Sequence, residues 1–167
     1  CRACEIACPV FINHTDKIFA ARQNLVMMES RFPPEVQTVF RNMETNATPW
    51  AFSSADRAGW ADGLGIPTMA EESSPEVLLW VGCAGAYDER NKKVVRAMAS
   101  LLKKAAVRFS ILGIEEKCTG DPARRIGNEY LYQTLAKANV ETLNRYQVKR
   151  IVTSCPHCFN TIKNEYP

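Results

Sequence analysis

Three short segments carry cysteines at even separation: Gly82-Cys83-Ala84-Gly85, Lys117-Cys118-Thr119-Gly120-Asp121-Pro122 and Cys155-Pro156-His157-Cys158. There are 34 residues between Cys83 and Cys118 and 36 between Cys118 and Cys155, the length of a strand-plus-helix unit. Successive units of that length bring all four thiols to one edge of one sheet. A second cluster, Cys1, Cys4 and Cys8, opens the chain and ends on Pro9. Convergent thiolates select soft or borderline metals and iron–sulfur clusters. The expectation is iron–sulfur binding and electron movement. Other chemistries fit fewer of the residues. Tetrahedral zinc accepts four cysteines, but its sites usually carry two CxxC knuckles and only one is present. A thioredoxin-type CxxC, with Cys155 as attacking thiolate, leaves Cys83 and Cys118 without a task. A lone buried cysteine is an ordinary small hydrophobe, a reading that four thiols at one edge do not suit.

The elements that must position these thiols follow from apolar periodicity. Residues 1 to about 15 form the cysteine-rich opening. A helical pattern runs from Asp16 through Ile18, Phe19, Leu25, Met28 and Phe32 to the Pro33-Pro34 break. Pro34 opens a second helix with Val36, Val39, Phe40 and Met43 as its stripe. Thr45 to Pro75 is rich in Ala, Ser, Gly and Pro but holds Trp50, Phe52 and Trp60, which predicts an ordered, irregular connector. Val77 to Val81 reads as a strand buried on both faces. A helix follows over Asp88 to Ala105, with Val94, Val95, Met98, Leu101 and Leu102 facing the sheet. Phe109 to Leu112 is a second strand. Asp121-Pro122 reads as cap and first turn of one helix reaching about Tyr146. Arg150 to Thr153 is a third strand, and Pro156 opens a last helix. The order β-α-β-α-β-α predicts an α/β fold with a parallel sheet and right-handed crossovers. The divisions expected are 1–44, a partial, mostly helical ferredoxin-type segment; 45–75, the connector; and 76–167, a cysteine-rich α/β domain.

Composition narrows the function classes. The 167 residues, 46% hydrophobic and 23% charged, suit an ordinary globular core. The net charge of +3 comes from scattered pairs such as Lys92-Lys93 and Lys103-Lys104, which does not favour nucleic acid. The longest apolar run, Val77 to Val81, falls far short of the ~20 residues that span a bilayer. An odd cysteine count in tight spacings argues for reduced, metal-bound thiols in a cytoplasmic setting, not a secreted disulfide framework. The chain starts at a cysteine and stops at Tyr166-Pro167, and is read as a fragment of a longer protein.

The three cysteine segments, with Cys158-Phe159-Asn160, Arg31-Phe32-Pro33-Pro34-Glu35 and Arg124-Arg125-Ile126-Gly127-Asn128-Glu129, resemble the cysteine-rich (CCG) domain of heterodisulfide-reductase-related iron–sulfur proteins. The branch indicated is that of large bacterial oxidoreductases working with electron transfer flavoprotein and quinone. One position departs from that family. Its signature has two adjacent cysteines before the glycine, and this chain has Cys118-Thr119. Four thiolates then remain, enough for one 4Fe-4S cubane on Cys83, Cys118, Cys155 and Cys158, and electron relay becomes the better expectation than disulfide chemistry. Cys1-x2-Cys4-x3-Cys8-Pro9 is similar to the last three cysteines of the bacterial ferredoxin run C-x2-C-x2-C-x3-C-P. That likeness implies a ferredoxin-type pair of 4Fe-4S clusters only partly encoded here. The resemblance also implies a flavoprotein donor, a quinone or related acceptor, and placement at the cytoplasmic face of the plasma membrane through regions outside this sequence. A zinc-stapled interaction module and heterodisulfide-reductase-like thiol chemistry are the competing readings.

Lesser candidates carry less chemistry. His157 sits inside the CxxC, where it is either a cluster neighbour or an exposed first-turn residue. His14 reads as a loop residue, Arg124 and Arg125 as solvated, Asp121 as a helix cap, and Trp50, Trp60 and Trp80 as core.

Overall fold

A computed structural model describes residues 3–72 and 74–166. Its centre is strand β1 (Val77–Trp80), flanked by β2 (Phe109–Ser110) and β3 (Ile151–Thr153) in the parallel order β2-β1-β3. Val77 pairs with Phe109 on one side, and Trp80 with Thr153 on the other. Leu78, Leu79 and Trp80 are buried because β1 is covered on both edges and both faces. Ile111 adds a parallel bridge to Thr68, so the connector itself borders the sheet. From β1 the chain crosses to β2 on one side and then back past β1 to β3 on the other. That is the topological switch point where crevices open at the carboxyl ends of strands.

The helices are α1 (Ala3–Ile6), α2 (His14–Gln23), α3 (Pro34–Asn46), α4 (Gly82–Tyr87), α5 (Glu89–Lys104), α6 (Asp121–Ile126), α7 (Glu129–Arg145) and α8 (Pro156–Asn160). Helix α3 begins with Pro34 in its first turn, as its sequence predicts, and buries Phe40 and Met43 against Leu131 and Leu135 of α7. Helix α5 faces the sheet with Val95, Met98, Ala99 and Leu102, the i, i+3, i+4, i+7 row. Val94 and Leu101, expected on that face, lie one step off the row and are exposed. The connector contributes a 3-10 helix, Ser54–Ala61, and buries Trp60 and Met69. Trp80 is also buried, whereas Trp50, expected in the core, is 41% exposed.

Several local expectations are corrected. The helix expected from Asp121 to Tyr146 is two helices. Gly127 (φ 119°) breaks it, and Asn128 caps α7 by accepting from the Leu131 N–H. A Cβ at Gly127 would lie 2.5 Å from the Arg22 carbonyl oxygen, so the break lets α2 pack close. Asp121 is not the cap of α6. Gly120 (φ 86°) holds that place, and the Asp121 side chain points elsewhere. His14 is the first residue of α2, behind an Asn13 cap, and not a loop residue. Gly82 and Cys83 belong to a short helix, α4, that starts directly after β1.

Candidate metal centre

The turn from β1 into α4 carries Gly82 at φ 74°, a left-handed conformation open to glycine at little cost. A Cβ there would stand 3.1 Å from Cys158 Sγ and 3.6 Å from Cys155 Cβ. The missing side chain is therefore what lets the end of β3 close on the end of β1. Cys155 is the N-cap residue of α8, with Pro156 at the first helical position, and Cys158 lies one turn in, buried. Cys118 reaches the same edge by a longer route, through a 3-10 turn (Gly113–Glu115) that follows β2. Its N–H donates to the Ala47 carbonyl at 2.8 Å. Asn139, wholly buried on α7, grips this segment by donating to the Cys118 carbonyl at 3.0 Å and accepting from the Lys117 N–H at 3.2 Å. Tyr166 closes it from the far end, donating to the Thr119 carbonyl.

The four sulfurs interact in two pairs. The Cys83 thiol is brought down to about 6, first by the hydrogen bond from Cys118, against burial, with the Arg57 charge next. Cys118 is pushed well up by that same bond and by burial. Cys155 is brought down to about 6 by the hydrogen bond from Cys158, against burial, with help from backbone N–H groups of Cys158 and His157. Cys158 is pushed up by Cys155 and by burial. The pairs also sense each other, since the charge of Cys83 bears on Cys158 and that of Cys158 on Cys118. Each pair shares a proton, so its first ionisation belongs to the pair and not to one sulfur.

Two buried charges stand beside these thiols. Glu116 accepts from the Val81 N–H (2.9 Å), the Gly82 N–H (2.8 Å) and Arg57 Nη2 (2.9 Å). Arg57 Nη2 also lies 3.6 Å from Cys83 Sγ. The Thr48 hydroxyl is buried with no hydrogen-bond partner among the described residues. On the other side, Asp121 accepts from Arg125 Nε (2.9 Å) and the Thr161 hydroxyl (3.2 Å), and His157 Nδ1 lies 3.1 Å from its Oδ2. Arg124 and Arg125, expected to be solvated, instead bridge Asp121, Glu129 and Glu165. Neither Arg57, Glu116 nor Asn139 is signalled in the sequence. Arg57 lies in an Ala/Gly-rich stretch, Glu116 in a run of charges, and Asn139 in a helix.

The amino-terminal cysteines have a different setting. Cys1 lies outside the described residues. Cys4 is exposed on α1, and neither α1 nor α2 has a buried residue among those described. Cys8 is half-buried, its thiol pulled down by the backbone N–H groups of Ile12 and Val10 and by His14. Cys4 and His14 border an open depression with Lys17, Ile18 and Ala21.

The residues at the sheet edge fit an iron–sulfur cluster. They supply soft thiolate donors, a glycine that admits close approach, and donors aimed at sulfur. Among the described residues no three His, Cys, Asp or Glu side chains form a group that could hold a metal ion. No helix of the described residues is long and apolar enough to cross a membrane.

Curated relatives match the whole chain. It is 49% identical over 172 aligned positions to the "EtfAB:quinone oxidoreductase" of Syntrophomonas wolfei, covering 100% of this chain and 24% of that protein. It is 41% identical over 174 positions to the "Probable iron-sulfur-binding oxidoreductase FadF" of Bacillus subtilis, covering 100% and 25%. At 29% identity over 171 positions it also matches one component of the dihydromethanophenazine:CoB--CoM heterodisulfide reductase of Methanosarcina mazei, covering 100% and 40%. The chain thus spans about a quarter of the length of the first two relatives. No solved structure gives a significant match. The family model for the cysteine-rich (CCG) domain matches residues 77–163, which contain all four thiols of the sheet edge, and the chain belongs to that family.

Proposed function

We propose that this chain is an electron-relay part of an iron–sulfur oxidoreductase. In this reading Cys83, Cys118, Cys155 and Cys158 hold one 4Fe-4S cluster, which supplies one-electron storage when bound. The observation that carries the reading is the gathering of these thiols at the carboxyl edge of β1, where a Cβ on Gly82 would stand 3.1 Å from Cys158 Sγ and 3.6 Å from Cys155 Cβ, and Arg57 Nη2 lies 3.6 Å from the buried Cys83 Sγ. The protein's own residues hold and shield the site. Gly82 admits Cys158, Asn139 and Tyr166 fix the Cys118 loop, and Met43, Leu131 and Tyr132 keep water from one side. All four thiols would give up their protons on binding metal. With Thr119 in place of a fifth thiolate, relay is favoured over disulfide reduction. Cys1, Cys4 and Cys8 serve ferredoxin-type clusters only together with cysteines beyond this sequence.

The names of the relatives point to the partners. Electrons enter from electron transfer flavoprotein or a similar flavoprotein and leave toward a quinone or related acceptor, with any membrane contact made by other parts of the full-length protein. The test is anaerobic reconstitution followed by iron and sulfide analysis and EPR of the reduced protein. One cluster, about four irons per chain, is expected. Stoichiometric zinc without iron in protein purified anaerobically from its native host would overturn the reading. About twelve irons would overturn the account of the amino-terminal cysteines.

A further inference from the structure

Arg57 is the most unusual charge in the molecule. It is 2% exposed, and its only carboxylate partner among the described residues is Glu116, also 2% exposed. Taking both charges out of water costs several kcal/mol per ion, and well-packed apolar residues often serve stability as well or better. A buried pair of this kind calls for a reason other than stability.

Its geometry supplies one. The Glu116 carboxylate has three donors, two of them backbone N–H groups at the start of α4. Arg57 is less fully occupied. Nη1 has only a long contact to the Ala47 carbonyl, 3.5 Å, and Nε is buried with no partner. Nη2, besides the carboxylate, lies 3.6 Å from Cys83 Sγ. Tyr87 covers the guanidinium, its ring centroid 5.9 Å from Cζ. The pair carries no net charge, yet its positive end abuts the Cys83 sulfur, while its negative end, held by the Val81 and Gly82 N–H groups, bears on Cys158. A planar guanidinium can address carboxylate and sulfur together, which an ammonium point charge does less well. In a buried setting such a dipole is weakly screened.

We propose that Arg57 and Glu116 form a potential-setting pair, Arg57 holding the reduction potential of the site up through Cys83 and Glu116 holding it down. The inference rests on the cluster reading above. Adding one electron adds one negative charge at the site and breaks no bond. A nearby positive end stabilises that added charge, and a nearby negative end opposes it. The two residues are positioning residues acting through a ligand, and their signs are opposite.

Opposite signs make the test sharp. Midpoint potentials are measured by EPR-monitored redox titration of reconstituted wild-type, Arg57→Met, Arg57→Lys and Glu116→Gln proteins, with iron content and melting temperature taken for each. Arg57→Met is expected to shift the potential negative by about a tenfold change in the reduced-to-oxidised ratio, ~59 mV for one electron. Glu116→Gln is expected to shift it positive, and Arg57→Lys to stay nearer wild type. If both neutralising variants move the same way, or neither moves more than a surface control such as Lys92→Gln, the pair is structural and the proposal fails. Should Arg57→Met not hold iron, Glu116→Gln decides: a null or negative shift overturns the proposal. Should neither variant hold iron, Arg57→Lys decides: it keeps the charge but loses the fork that addresses carboxylate and sulfur together, so a negative shift of less than tenfold is expected, and no shift or a positive one overturns the proposal. A wild-type protein without iron is a different result, and it would defeat the cluster reading.

Discussion

The two cysteine clusters of this chain differ in what surrounds them. At the sheet edge, Cys83, Cys118 and Cys158 are buried, and their carriers are locked by Gly82, Asn139, Glu116 and Tyr166. Near the amino terminus, Cys4 is exposed, Cys8 half-buried, and α1 and α2 bury nothing among the described residues. Ile6, Val10 and Phe11 stand out into solvent there. Both clusters have a spacing that fits iron–sulfur ligation, but among the described residues the sheet-edge cysteines are the ones set in a buried, hydrogen-bonded scaffold. Spacing identifies candidate ligands; preorganisation decides which set can act alone.

The largest expected effect tests that contrast directly. Cys158→Ser should remove nearly all cluster iron and much local order, because that thiol anchors α8 to the end of β1, whereas Cys4→Ser and Cys8→Ser should leave the iron content of this chain unchanged. Iron analysis and visible absorption compare them. Equal losses in both regions would erase the distinction.

A middle-sized effect isolates the close approach at Gly82. Gly82→Ala combines a left-handed φ with a contact 3.1 Å from Cys158 Sγ, whereas Gly63 has a similar φ, 76°, and nothing within 4 Å of its would-be Cβ. Both alanine variants carry backbone strain of about 1–3 kcal/mol. Thermal unfolding should show the greater loss for Gly82→Ala, and only Gly82→Ala should also lose cluster absorption. If the two glycine variants behave alike, the crowding against Cys158 has no role.

The smallest effect concerns Thr119, the residue that directly follows Cys118. Thr119→Ser should leave iron content close to wild type, since a hydroxyl next to a ligand affects the site less than a lost thiolate does. Should its iron loss match that of Cys158→Ser, Thr119 belongs among the ligands and the four-cysteine assignment falls.

Much of the scaffold was legible because its signals are local. The uninterrupted Val77 to Val81 run, Pro34 at the start of α3, and Pro156 after Cys155 each dictate backbone within a few residues of themselves. The break at Gly127 was less so. A single glycine inside an apolar helical pattern is tolerated, and what breaks the helix is the Arg22 backbone, more than a hundred residues away in sequence, with Asn128 ready to cap. Val94 and Leu101 turn outward because the inward 3.6-residue row is already occupied by Val95, Met98, Ala99 and Leu102.

From its sequence alone this protein has four thiols paced to one edge of a parallel sheet and a second thiol run that stands apart, because strand, turn and helix signals act over short range. Only the tertiary structure decides which charges go inside. Arg57 and Glu116 lie 59 positions apart, and nothing in either neighbourhood announces the other. Asn139 and Cys118 meet in the same way, across 21 positions. A charged residue carries the same sequence signature whether water or a buried partner neutralises it. Only when the chain closes is it settled which of the two it meets.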